Sequence, residues 1–208
     1  MALVIDKHKL IIFHFPKTGG TTLAHAFSDD INPIEWQRYY ENNDHKNCQW
    51  YIKRLGPRVR KYHKVALVRH PYRMLLSFYL YKVNQPADSQ QNYIQLCRSM
   101  SFANFTRHLL SLPNLEDEVP ERDHLFTVRA GQKHFHSNAN GVYIPDETVY
   151  LRTDDFNILL ERYGKGKHKN LKKNVSTPEN YYFYLTDEAK ENIYKLYYED
   201  FDFFNFLA

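Results

Sequence analysis

Residues 9–23 read KLIIFHFPKTGGTTL, and this stretch decides the fold. Lys9 to Phe15 is a short apolar run with β-branched residues, closed by Pro16 and followed by Gly19-Gly20; its length and composition predict a buried strand. From about Gly20, residues Leu23, Ala24, Ala26 and Phe27 form an apolar stripe at helical spacing, with Thr21 and Thr22 where capping hydroxyls are expected. The unit is strand, tight turn, helix. Such a turn lets successive amides face one point, and the positive end of the following helix is directed there. Lys17 adds a charge, and Thr18, Thr21 and Thr22 add hydroxyl donors. A lone Gly-Gly would mark only a turn; strand, Pro-Lys-Thr-Gly-Gly-Thr-Thr and helix together predict an anion cradle.

The pattern recurs. Lys64 to His70 (KVALVRH) is a second buried strand, Pro71 ends it, and residues 72–82 (YRMLLSFYLYK) have the length and composition of a helix. Two strand-to-helix units predict an α/β fold with a central parallel sheet flanked by helices, and ligands at the carboxyl ends of the strands. A third strand is expected at Thr148 to Arg152, then a helix from Asp154 that stops at Gly164. Short helices are expected near residues 47–55, after a loop within 84–100, and from Ser101 to Leu112. A final helix capped by Thr186 runs to about Tyr198, followed by an aromatic tail of Phe201, Phe203, Phe204 and Phe206. Residues 113–124 read as an acidic, Pro-punctuated loop. No repeat or linker divides the 208 residues, so residues 1–208 are expected to be a single domain.

Composition sets outer bounds. With 43% hydrophobic residues, 16% aromatics and only 7 Gly and 9 Pro, disordered and collagen-like classes are excluded. A net charge of +4 permits an anionic ligand without naming one. Cys48 and Cys97 are too few for a disulfide framework and lack metal-ligand spacing, which favours a reducing compartment. No apolar run reaches the roughly 18 residues of a membrane span and the first residues lack a signal peptide's layout, so a cytoplasmic protein with no membrane span is expected. Asn104-Phe-Thr106 and Asn174-Val-Ser176 match the glycosylation pattern but have no secretory context.

The first loop lacks Gly-Lys-Ser/Thr, and no Asp at the second strand stands ready for Mg²⁺, so it is not an ATP-type P-loop. It resembles the 5′-phosphosulfate-binding loop of sulfotransferases that use 3′-phosphoadenosine 5′-phosphosulfate (PAPS). The segment Val68 to Tyr79 (VRHPYRMLLSFY) resembles that family's 3′-phosphate motif, in which Arg at the strand end and Ser eight residues later grip the phosphate; here they are Arg69 and Ser77. Many relatives have Asp or Asn where this chain has His70. Weaker similarity to the carbohydrate-type branch, which has soluble bacterial members, covers Gln132, Tyr150 to Phe156, Asn174 to Ser176 and Tyr198 to Phe201.

The resemblance implies a P-loop-like sulfotransferase fold with PAPS as donor co-substrate. Lys17, Thr18, Gly19, Gly20, Thr21, Thr22, Arg69 and Ser77 would hold PAPS, and Lys17 would also be catalytic. The acceptor would be a carbohydrate or small alcohol, neither nucleic acid nor membrane, and no metal is chemically required. In that branch a His base lies about 25 residues ahead of the motif Arg; His45 stands 24 ahead of Arg69 and is the expected base, with Glu35 and Glu41 as alternatives. His14 and His25 are expected to pack, and His63 and His70 to flank the second strand. His134 and His136 would form a metal pair on a strand, but no third ligand stands out. The five lysines in residues 165–173 form a solvated loop, close over the 3′-phosphate or attract an acidic acceptor. Two other readings stay open: a nucleotide-triphosphate kinase with a variant P-loop, and a non-enzymatic basic module that binds nucleic acid. The acceptor and the oligomeric state are not legible.

Overall fold

Leu10–His14 is buried at every position, as the continuous apolar run requires, and it is the second strand of a four-stranded sheet. The computed structural model describes residues 2–31, 48–86, 92–112, 124–136, 148–168 and 180–208. Its strands are β1 (Ala2–Ile5), β2 (Leu10–His14), β3 (His63–Val68) and β4 (Thr148–Arg152), in the order β1-β2-β3-β4. Strands β2, β3 and β4 are parallel, with Leu10 opposite His63 and Val68 opposite Arg152. The expectation of a parallel sheet is corrected at one edge: β1 runs antiparallel to β2, joined through a short 3-10 turn (Asp6–His8) and Lys9 in the left-handed region.

The helices are α1 (Gly20–Ala26), α2 (Cys48–Leu55), α3 (Pro71–Val83), α4 (Asn92–Ser99), α5 (Phe102–Ser111), α6 (His124–His136), α7 (Phe156–Arg162) and α8 (Asp187–Phe203). The chain is a mixed α/β protein built on a four-stranded sheet, with α1 and α7 packed against it. It divides into two compact units, Met1–Arg69 with Gln132–Lys173, and His70–Gly131 with Asn174–Ala208.

The first unit holds the sheet. Side chains alternate across a strand, so Leu3, Ile5, Leu10, Ile12, Val65 and Leu67 share one face, where they cluster with Leu23, Ala24 and Phe27 of the α1 segment and Leu159 and Leu160 of α7. Ile11, Phe13 and Ala66 face the other way and are also buried. Burial on both faces explains why the strands read as unbroken apolar runs. The end of α1 is tied down by Asp30, whose carboxylate meets Lys165 and Lys7 at 2.6 Å and His8 at 2.8 Å. Burial opposes the charge on Asp30, but hydrogen bonds from Lys165, Lys7 and His8 outweigh it and hold the carboxyl well below the usual carboxylate range.

The second unit is helical. Phe78 of α3 stacks on Phe105 of α5 at 6.3 Å, Tyr79 packs on both Phe102 and Phe105, and buried Asn192 of α8 donates to Thr106 at 3.1 Å. Lys82 is buried with its ammonium 4.5 Å from the Tyr93 ring centroid and 5.5 Å from that of Phe78. Ser101 and Thr186 cap α5 and α8 as expected. The last helix continues to Phe203, beyond the expected Tyr198, with a kink at Tyr197. Within the aromatic tail, Phe201, Phe204 and Phe206 are buried, and the ring centroids of Phe201 and Phe206 lie within 5.5 Å of the His70 ring centroid.

Two further expectations change. Residues 132–136 are helical, so His134 and His136 are not a strand pair: His134 is exposed and His136 is buried. Lys165 is buried against Asp30 and is not part of a solvated run. The acidic loop, apart from His124, and residues 169–173 of the lysine run lie outside the described residues.

Candidate active site

The chemistry expected at residues 15–22 begins with a backbone that side chains alone would not choose. Lys17 (φ 65°) and Gly19 (φ 85°) both adopt left-handed conformations between the end of β2 and α1. Thr18 closes the turn, donating to the Phe15 carbonyl from its amide at 3.3 Å and its hydroxyl at 2.8 Å. The first hydrogen bonds of α1 run from Thr22 and Leu23 to the carbonyl of Gly19, so the amides of Gly20 and Thr21 come before the helix's own ladder. The N-cap is Gly19, and no side chain caps α1. This corrects the expectation that Thr21 or Thr22 would cap: both lie inside the first turn.

Gly20 is required for a different reason. A Cβ there would lie 2.3 Å from Nδ1 of His14, whose ring fills the space beneath the turn. His14 is buried, and that burial, with a smaller contribution from neighbouring His136, keeps its pKa well below the ordinary value. It is therefore neutral at pH 7 and supports the loop as packing.

Arg69 lies just past the end of β3, beside this loop. Its Nη1 donates to the carbonyl of Lys17 at 3.0 Å, so the two sequence motifs meet at the carboxyl ends of adjacent parallel strands. The next strand contributes Thr153, just past β4, whose methyl would lie 3.7 Å from a Cβ on Gly19. Three consecutive parallel strands thus deliver Lys17, Arg69 and Thr153 to their shared carboxyl end. A chain segment there with one ammonium, one guanidinium and the open amides of a helix start is suited to a multiply charged anion.

The backbone of Arg69 is held as well. Gln132, buried without exposure, accepts from the Arg69 amide through Oε1 and donates to the Arg69 carbonyl through Nε2, both at 2.7 Å. In the sequence, Gln132 stands out only as part of a weak similarity. Its partner is a peptide group 63 residues away, which no local pattern encodes. One turn further on, His136 places Nδ1 3.3 Å from Sγ of Cys48. Burial lowers the His136 pKa to about 3 and pushes the Cys48 thiol up, so this pair is a neutral thiol beside a neutral imidazole. That chemistry ties α2 to α6 and supplies no nucleophile.

Ser77 belongs to α3 in the second unit and is buried. In the same unit His70 caps α3: its Nδ1 accepts from the Tyr72 amide at 3.4 Å, and its Nε2 lies 2.8 Å from the Leu207 carbonyl, which makes Nε2 the protonated nitrogen. His45, Glu35 and Glu41 lie outside the described residues. An apolar pocket lined by Val65, Val149, Leu151, Ile158 and Tyr163 contains none of the anion-site residues. Among the described residues, no group of three His, Cys, Asp or Glu could hold a metal, and no helix is long and apolar enough to cross a membrane.

In comparison with known families, the model described as "Sulfotransferase family" matches residues 1–207. The chain belongs to the sulfotransferase family, a class of transferases that move a sulfuryl group. No curated protein and no solved structure compared with the chain matches it.

Proposed function

We propose that the protein transfers the sulfuryl group of PAPS to a hydroxyl of a carbohydrate or another small alcohol, on a P-loop-like donor site. The observation that carries this reading is the hydrogen bond from Arg69 to the Lys17 carbonyl, which brings a candidate 5′-end loop and a candidate 3′-phosphate arginine together at the carboxyl ends of β2 and β3. In this reading Lys17, the amides of Gly19, Gly20 and Thr21, and the hydroxyls of Thr21 and Thr22 hold the 5′-phosphosulfate, while Thr18 keeps the turn closed. Arg69 and Ser77 hold the 3′-phosphate. The guanidinium offers a planar fork that matches phosphate oxygens.

Transfer is an in-line displacement. The acceptor oxygen bonds to sulfur as the bond from sulfur to the 5′-phosphate oxygen breaks, and that oxygen keeps the electron pair. Lys17 stabilises the charge that gathers there, which is where a preorganised cation contributes most. The acceptor proton goes to His45 as general base. Because the leaving group is a stable phosphate, the chemistry does not call for a metal. Two buried cysteines without a disulfide suit a cytoplasmic setting.

Release of 3′,5′-adenosine bisphosphate from PAPS in the presence of a panel of sugars and small alcohols tests the reading. Acceptor-dependent release is expected from the wild type and not from His45→Ala. Near-normal turnover by His45→Ala would move the base to Glu35 or Glu41. Absence of release with every acceptor class, together with no binding of the bisphosphate, would overturn the proposal.

A further inference from the structure

We infer that Gln132 is a positioning residue for Arg69 and thereby sets how strongly the site distinguishes a 3′-phosphorylated nucleotide from one without that phosphate. The inference rests on the PAPS reading above. Strand β3 ends at Val68, which is opposite Arg152 of β4, so Arg69 is the first residue beyond the paired ladder. Its peptide groups still need partners. The side-chain amide of Gln132 supplies both, one acceptor and one donor, in two 2.7 Å hydrogen bonds. A primary amide carries that donor and acceptor side by side without charge at any pH near neutrality. The backbone of Arg69 is thus fixed where its guanidinium departs toward Lys17.

Gln132 is itself well placed to hold. It has no solvent exposure, and it follows Gly131, whose backbone (φ 80°, ψ 170°) is a conformation essentially restricted to glycine. Four residues later His136 anchors the same short helical segment to Cys48. A guanidinium held at both its backbone and its tip loses little freedom when it grips an anion, and misplacement costs affinity for the group it grips rather than for the whole ligand.

The test is calorimetric titration with 3′,5′-adenosine bisphosphate and with 5′-AMP on wild type, Gln132→Met and Gln132→Leu. Met and Leu each remove both hydrogen bonds at similar volume. The wild type is expected to prefer the bisphosphate, and each folded variant to lose about tenfold of that preference with 5′-AMP affinity changed less than about twofold. A purely structural role would weaken both ligands alike and leave the ratio unmoved. A wild-type preference retained in a cooperatively melting variant overturns this inference alone. A wild type with no preference overturns the donor reading and this inference with it.

Discussion

The two strand-to-helix junctions of this chain solve the same problem in opposite ways. After β2, the backbone turns through left-handed Lys17 and Gly19, and α1 begins with no capping side chain. After β3, the helix start is closed: His70 caps α3 and Pro71 occupies its first turn, where a missing N–H costs nothing. The first junction therefore presents backbone amides, and the second presents the Arg69 side chain. In the proposed reading, the open helix start beside the fixed guanidinium receives an anion with two charged ends, a role that two capped helices would not offer. The far end of α1 is treated differently again, since Asp30 locks it through Lys7, His8 and Lys165.

The largest expected effect breaks the open junction chemically. Lys17→Met should lower turnover by about 10²–10³ while changing bisphosphate affinity much less, because its charge matters most as the leaving oxygen develops. Steady-state kinetics beside a binding titration would check it, and loss of affinity without loss of turnover would remove Lys17 from the chemistry.

Next comes the locked end of α1. Asp30→Asn leaves buried Lys165 without its carboxylate and should cost about 3 kcal/mol at pH 7. The folded-state pKa of Asp30 lies below its unfolded value, so its contribution is complete above that unfolded value, about pH 4, and disappears as the pH falls through the folded one. Denaturant melts should accordingly show wild type and Asp30→Asn converging below about pH 4. A gap that stays constant down to about pH 2 would mean that the ion pairs are not its source.

Gly20→Ala should cost about 2 kcal/mol, because the new Cβ meets the His14 ring. Combining it with His14→Ala should recover part of that loss, and additive costs would rule out the contact as the cause. The smallest effect falls on the closed junction: His70→Ala should cost about 1 kcal/mol, while His70→Asn, which can still cap, should cost less. Neither should alter bisphosphate binding by the loop after β2.

Legibility follows the range of the interactions. The three parallel strands, and the helices after the first two, stand out in the sequence because continuous apolar runs and local caps signal them. Strand β1 escapes notice because four residues carry little pattern and its partner is the strand that follows. Helix α6 is illegible since Gly131 breaks its periodicity and its polar residues, Gln132 and His136, are buried by partners far away in sequence. Lys165 sits in a lysine-rich run that looks solvated until Asp30 is brought to it. At the candidate site, Lys17 and Arg69 are readable from their motifs. The support they receive from Gln132 and His14 depends on contacts made only by the folded chain.

The most direct measurement is a thermal-shift titration with 3′,5′-adenosine bisphosphate on wild type and on Arg69→Ala. Clear, saturable stabilisation of the wild type is expected at millimolar ligand, with little or none for the variant; an unstabilised wild type would contradict donor binding at this site.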